Sequence, residues 1–175
     1  MIFEKTRLAL EKLLPQADPA DAVPENAGDV DDIEGTAPEE PRKNGIMACD
    51  YKVHGYHLDA QVAPDQLLDA VAILDTFEFF LESITGVDWI KDDQFEVVYD
   101  FSRYDFDCCR VVIRTRVARS QPSVPTISYL YSGANWHERE THEFFGINFE
   151  GHPNLVPLLL PEDADFHPLL KDFKA

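Results

Sequence analysis

The densest run of chemistry-bearing side chains is His137-Glu138-Arg139-Glu140-Thr141-His142-Glu143. Imidazoles and carboxylates this close together could hold a metal, move protons or form ion pairs. A zinc protease needs His-Glu-x-x-His, which sets both imidazoles on one helix face, one turn apart. Here the two histidines are five residues apart, about 140° around a helix from each other. That spacing argues against the protease geometry. Glu138 and His142, one turn apart, could join a mixed zinc site only with ligands from elsewhere. A stand-alone metal-dependent enzyme would draw on Glu138, His142 and His152. The same segment offers plainer pairs, Arg139 one turn before Glu143 and Glu138 one turn before His142, worth about 0.2–0.5 kcal/mol each on a free helix. Trp136, Phe144, Phe145 and Ile147 crowd these charges. The helix is then either solvated and salt-bridged or only partly solvated, and in the second case its buried charges need partners. Another protein chain could supply them.

Other chemistries find no support. The three cysteines, Cys49, Cys108 and Cys109, include a vicinal pair and no C-x-x-C. They suit a reducing compartment rather than a disulfide framework, and they fall short of the four thiolates of an all-cysteine iron–sulfur cluster. No Gly-x-Gly-x-x-Gly, Walker loop or Gly-x-Ser-x-Gly elbow occurs, so nucleotide phosphates have no evident cradle. With 33 Asp+Glu against 15 Lys+Arg, the net charge is -18, which repels nucleic acid and anionic lipid. No apolar run approaches the roughly 20 residues of a spanning helix. Met1–Lys12 lacks the apolar core of a secretory signal.

The elements that must position this cluster follow from patterning. Residues 1–14 form a short helix stopped by Pro15. Residues 15–44 form an acidic linker, with nine acids and no Lys or Arg between Asp18 and Glu40, and are expected to be disordered. The linker is either a solvated spacer or an arm for a basic partner. Residues 45–175, of about one domain's length, begin with a strand over Tyr51–Leu58. An amphipathic helix of about five turns follows over Pro64–Ile84, from apolar residues at Leu67, Val71, Leu74, Phe77 and Leu81. Strict alternation then gives two strands. Phe95, Val97, Tyr99 and Phe101 share a face of the first; Val111, Ile113, Thr115 and Val117 share a face of the second. Placing Phe101 opposite Cys109 pairs Glu96 with Arg114, Val98 with Val112 and Asp100 with Arg110, a charge ladder on the outer face. From Thr126 the chain turns helical and closes at Gly146. Phe149–Ala175 is an irregular apolar tail that needs a surface to pack on. The fold class is α+β: one domain, an antiparallel or mixed sheet with a helix across one face, the Glu-Arg-Glu helix near its edge, and the acidic linker ahead of it.

Ala134-Asn135-Trp136-His137-Glu138-Arg139-Glu140-Thr141-His142-Glu143-Phe144-Phe145-Gly146-Ile147, then Phe149 and Gly151-His152-Pro153, closely resemble the hallmark of the thirty-kilodalton subunit family of complex I, the bacterial NADH dehydrogenase. Thr85-Gly86-Val87-Asp88 and the Phe95–Tyr99 strand are also similar to the family. The resemblance covers roughly Tyr51 to Phe173. It implies a peripheral-arm subunit of a respiratory NADH dehydrogenase (ubiquinone) without catalytic residues, cofactor or metal of its own. Its expected partner is the hydrogenase-large-subunit-like (forty-nine-kilodalton-type) subunit, with iron–sulfur clusters and the quinone or [NiFe] centre on partner chains. The expected location is the cytoplasmic face of the inner membrane, held there through the complex. Trp136, Glu138, Arg139, Glu140, Glu143, Phe144, Gly146, His152, Pro153, Lys171 and Asp172 are the expected interface or interface-ordering residues. Two departures stand out. Val156 and Pro157 occupy positions where the family usually has arginines, and Leu170 replaces an arginine in His167-Pro168-Leu169-Leu170-Lys171-Asp172-Phe173. These changes also suit the equivalent subunit of a membrane-bound energy-converting hydrogenase, including the CO-induced type. An acidic adaptor without a redox partner is a further alternative.

Overall fold

The computed structural model describes residues 1–14, 43–105 and 108–174. The linker expected over residues 15–44 lies, save its last two residues, outside the described residues. Helix α1 (Ile2–Leu13) buries Ile2, Thr6 and Leu10, a four-residue spacing that makes one apolar stripe. It packs on strand β1 (Gly45–Ala48) and helix α3 (Leu67–Thr76). A single turn, α2 (Tyr51–His54), precedes β2 (Leu58–Val62). The expected strand over Tyr51–Leu58 is therefore displaced. Asp50 caps the turn by accepting from the Lys52 N–H, and Gly55 ends it at φ 77°.

The expected Pro64–Ile84 helix is too long. A 3-10 turn at Pro64–Gln66 leads into α3, which stops at Thr76. The Phe79 N–H reaches the Leu74 carbonyl at 3.0 Å and the Glu78 N–H reaches Asp75 at 2.9 Å. That is the paired bonding of a helix stop around a left-handed residue, here Glu78 at φ 60°. Arg103 donates to the freed Phe77 carbonyl and lies 3.4 Å from the Glu78 carboxylate. The chain then runs as strand β3 (Phe80–Trp89). Leu81 kept the helical spacing by coincidence.

Strands β4 (Gln94–Arg103) and β5 (Cys109–Ala118) complete a mixed five-stranded sheet of order β1-β2-β5-β4-β3. Only the β2–β5 pair is parallel. Phe95, Val97, Tyr99 and Phe101 do face the helices, together with Val111, Ile113 and Val117. The expected register is off by two. Arg103, not Phe101, stands opposite Cys109, so Glu96 faces Arg116, Val98 faces Arg114 and Asp100 faces Val112. A two-residue slip leaves every side chain on its own face, so alternation could not detect it. The charge ladder survives, through one directly opposed pair and two diagonal ones. Glu96 accepts from Arg116 Nε at 3.0 Å and Arg114 Nη1 at 3.4 Å, and Asp100 pairs with Arg110. Asp59, on the neighbouring β2, adds a carboxylate 3.2 Å from Arg114.

After β5, β6 (Ser123–Pro125) pairs in parallel with β7 (Asn148–Glu150), and helix α4 (Ala134–Phe145) lies between them in sequence. The helix begins at Ala134 rather than Thr126. Thr126–Gly133 is a loop, packed through the Tyr131 ring on Phe101, 5.2 Å away. Asp59 and Glu96 are 0% and 3% exposed. Replacing Arg114 by Met, which removes their shared cation, should cost about 3–5 kcal/mol in urea unfolding at neutral pH. A loss below about 1 kcal/mol would show a solvent-screened pair instead.

Candidate functional site

Helix α4 rests on β3, the edge strand, as the sequence suggested. Gly86 makes the approach possible: a Cβ there would stand 2.6 Å from the Phe145 ring. Phe145 also meets Phe95 edge-on, with centroids 6.4 Å apart. Gly146 ends the helix at φ 76°, where a Cβ would also strike the His167 ring at 2.8 Å. Only glycine satisfies both demands at that position.

The expected pairs within α4 do not form. Glu138 and Glu143 both leave the water, at 0% and 4% exposure, and each finds partners outside its helix. Glu138 accepts from the Ile127 N–H at 2.8 Å and bonds the Thr126 hydroxyl. His152 lies 3.8 Å away, its side chain equally buried. The β6–β7 pair brings them together, because the Thr126 N–H bonds the Glu150 carbonyl at 3.0 Å and the Gly151-His152-Pro153 turn follows directly. His152 Nδ1 accepts from the Asn154 N–H at 3.1 Å, so Nε2 carries the hydrogen, 3.2 Å from the Asn135 carbonyl. Burial raises the Glu138 pKa to about 7 and lowers that of His152; both groups avoid charge in a dry site.

Glu143 instead gathers the tail. Its carboxylate accepts from the N–H groups of Leu158 at 2.8 Å, Leu159 at 3.0 Å and Leu160 at 3.0 Å. Arg139 works one turn earlier, donating to the Val156 and Pro157 carbonyls, both at 2.8 Å. The main chain of residues 156–160 is thus fastened through its polar atoms by two charged side chains. Charge-assisted bonds of this kind are the strong ones. Further along, His167 Nδ1 meets the Glu143 carbonyl at 2.8 Å and the Leu169 N–H bonds Phe144 at 3.2 Å. The tail's end is pinned to the sheet: Asp88 accepts from the Lys171 N–H at 2.9 Å, and Arg119 bridges Asp88 at 3.0 Å and Asp172 at 2.8 Å. Arg119 holds the Asp172 carboxyl below its usual range.

The sequence-selected residues therefore divide. Arg139, Glu143, Phe144, Gly146, Lys171 and Asp172 contribute to fastening the tail, while Glu138 and His152 meet each other at its root. Trp136 stays 58% exposed, with Arg139 5.3 Å over its ring. Glu140 and Pro153 are exposed. Thr126, Ile127, Arg119 and Asp88 belong to the same constellation and were not singled out. Asp88 stood in the Thr85–Asp88 run already noted, but backbone partners leave no side-chain signature. His142 turns to the Ile147 carbonyl, 2.9 Å from its Nδ1, while Glu138 and His152 face each other. Among the described residues, no three His, Cys, Asp or Glu side chains converge on a possible metal position.

The family described as "Respiratory-chain NADH dehydrogenase, 30 Kd subunit" matches residues 60–175. This chain belongs to that family. An NADH-quinone oxidoreductase subunit of Roseiflexus castenholzii is 42% identical over 120 residues, covering 66% of this chain and 68% of the relative. An F(420)H(2) dehydrogenase subunit of Methanosarcina mazei is 40% identical over 93 residues, 53% of this chain and 58% of that one. A chain in the solved structure of the membrane-bound sulfane sulfur reductase, an archaeal respiratory membrane complex, superposes with a TM-score of 0.61 at 29% identity, covering 67% of this chain and 71% of that chain. Relatives of this chain thus occur in complexes named for different reactions. No helix of the described residues is long and apolar enough to cross a membrane.

Replacing Glu143 by Ala removes the acceptor for three consecutive amides. Limited proteolysis should then cut residues 156–170 at least tenfold faster, while thermal unfolding of the sheet shifts by only a few degrees. Unchanged cleavage would show that the tail is held by its side chains instead.

Proposed function

We propose that this member of the family binds no cofactor and serves as a docking and ordering element in the peripheral arm of a complex I-type respiratory NADH dehydrogenase acting on ubiquinone, or of a related membrane-bound energy-converting hydrogenase. Its partner is the hydrogenase-large-subunit-like (forty-nine-kilodalton-type) subunit. The iron–sulfur clusters and the quinone or nickel–iron centre reside on partner chains, and the assembly holds this subunit at the cytoplasmic face of the inner membrane. The observation that carries this reading is the state of the tail. The Val156 and Pro157 carbonyls and the Leu158, Leu159 and Leu160 amides are satisfied by Arg139 and Glu143, while Val156 and Leu159 remain 44% and 65% exposed. An irregular segment normally pays an ordering cost when it binds. Here α4 has met that cost beforehand, which leaves an ordered apolar ridge for a partner to cover.

The relatives' names favour a subunit of a redox complex, and they span NADH-quinone oxidoreductase and F(420)H(2) dehydrogenase. That spread fits an assembly role that does not depend on the electron donor.

Two variants test the proposal by co-purification of the large subunit with a tagged chain from membranes. Leu159→Asp should abolish co-purification and leave the isolated chain melting within about 2 °C of the parent. Arg139→Ala should weaken co-purification strongly and lower the melting temperature by no more than a few degrees. Full co-purification of Leu159→Asp, or equal loss of fold and assembly in Arg139→Ala, would overturn it.

A further inference from the structure

The fastening of the tail explains Glu143 but not Glu138, whose carboxyl is the most enclosed acid on α4. Three features set it apart. Its side chain and that of His152 are both 0% exposed. Its Oε2 meets the Thr126 hydroxyl, which in turn lies 2.8 Å from the Ser128 hydroxyl. Ser128 is half-buried, so this line of hydroxyls runs from the dry interior to a partly exposed residue.

We propose that Glu138, Thr126 and Ser128 form a buried proton-binding site with an outlet at Ser128, able to hold the carboxyl as acid or anion with every polar group on the line still paired. The bonding is symmetric in the required way. As an anion, Glu138 accepts the Thr126 hydrogen while Thr126 accepts from Ser128. As an acid, Glu138 donates to Thr126 Oγ1, and Thr126 donates to Ser128 Oγ. One proton enters at Ser128, each hydroxyl passes on its own hydrogen, and the carboxyl gains one. The Ile127 N–H stays on Oε1 in both states. No hydroxyl is left without a partner, so the penalty for a lost buried bond is not incurred in either state.

The surrounding groups leave the proton on the glutamate. On the loop side stand the Thr126 and Ser128 hydroxyls, the Ile127 amide on Glu138 and the Ser128 amide, which donates to Thr126 Oγ1 at 3.1 Å. Tyr99 from β4 is fully buried, and burial together with the Glu138 charge keeps its hydroxyl protonated. From the turn after β7, His152 presents its Nε2–H and keeps Nδ1 occupied by the Asn154 amide. On α4, Arg139 and His142 bear on His152 and disfavour its protonation. Among the described residues no permanent cation directly pairs with the carboxylate, and burial draws its titration toward neutrality. The site is a property of this chain alone and does not rest on the docking assignment.

Stability is a poor probe, because the two buried groups oppose each other. The raised Glu138 pKa gives stability that is present at acid pH and lost as pH rises toward 7, whereas the lowered His152 pKa removes stability as pH falls below its ordinary range. The carboxyl itself must be observed. In the full chain labelled with carbon-13 at the glutamate carboxyls, one resonance should titrate near pH 7, apart from the others, and should vanish in Glu138→Gln. Thr126→Val removes a donor to the anion and should move that midpoint upward, while Thr126→Ser should restore it. If Glu138→Gln does not fold, the Thr126 pair still decides the matter. The proposal fails if every glutamate titrates below pH 6, or if Thr126→Val leaves the midpoint in place.

Discussion

A carboxylate taken out of water must be given hydrogens, and α4 carries two such carboxylates. Glu138 and Glu143 are nearly inaccessible, and desolvation alone would make either intolerable as an unpartnered ion. The chain answers by bringing backbone amides to them: Ile127 to the first, and Leu158, Leu159 and Leu160 to the second. That constraint shapes the molecule after β5. The Thr126 loop, the β6–β7 pair and the tail all lie where these acids need donors.

The sheet supplies the platform. Gly86 lets Phe145 close on the edge strand, so α4 sits low enough for its acids to be covered. Asp88, two residues on in the same strand, receives the far end of the tail through the Lys171 amide and Arg119. One strand thus seats the helix and also anchors the segment that the helix fastens. The opposite sheet face handles its charges independently, through Asp59, Glu96, Arg114 and Arg116. For the proposed docking role, an apolar segment held in this way would meet its partner already ordered.

Much of this was legible in the sequence, and the failures have specific causes. Alternation in β4 and β5 gave the strands and their faces, but its period of two cannot distinguish registers two residues apart. Leu81 extended a helical stripe past its true end because the stop uses Glu78 in a left-handed conformation, where a glycine would have signalled it. The His137–Glu143 run was visible as a dense charged helix in apolar company. Side-chain spacing proposed partners within that helix, yet most of the partners are main-chain atoms outside it. Backbone amides carry no mark in a sequence, so the fastening of the tail appears only in the fold.

Helix α4 orders the tail before any partner is present. Amide hydrogen exchange on the isolated chain measures this directly. Leu158, Leu159 and Leu160 should exchange at least a hundredfold more slowly than in an unstructured peptide of the same sequence. Exchange of these three amides at the peptide rate would contradict the account.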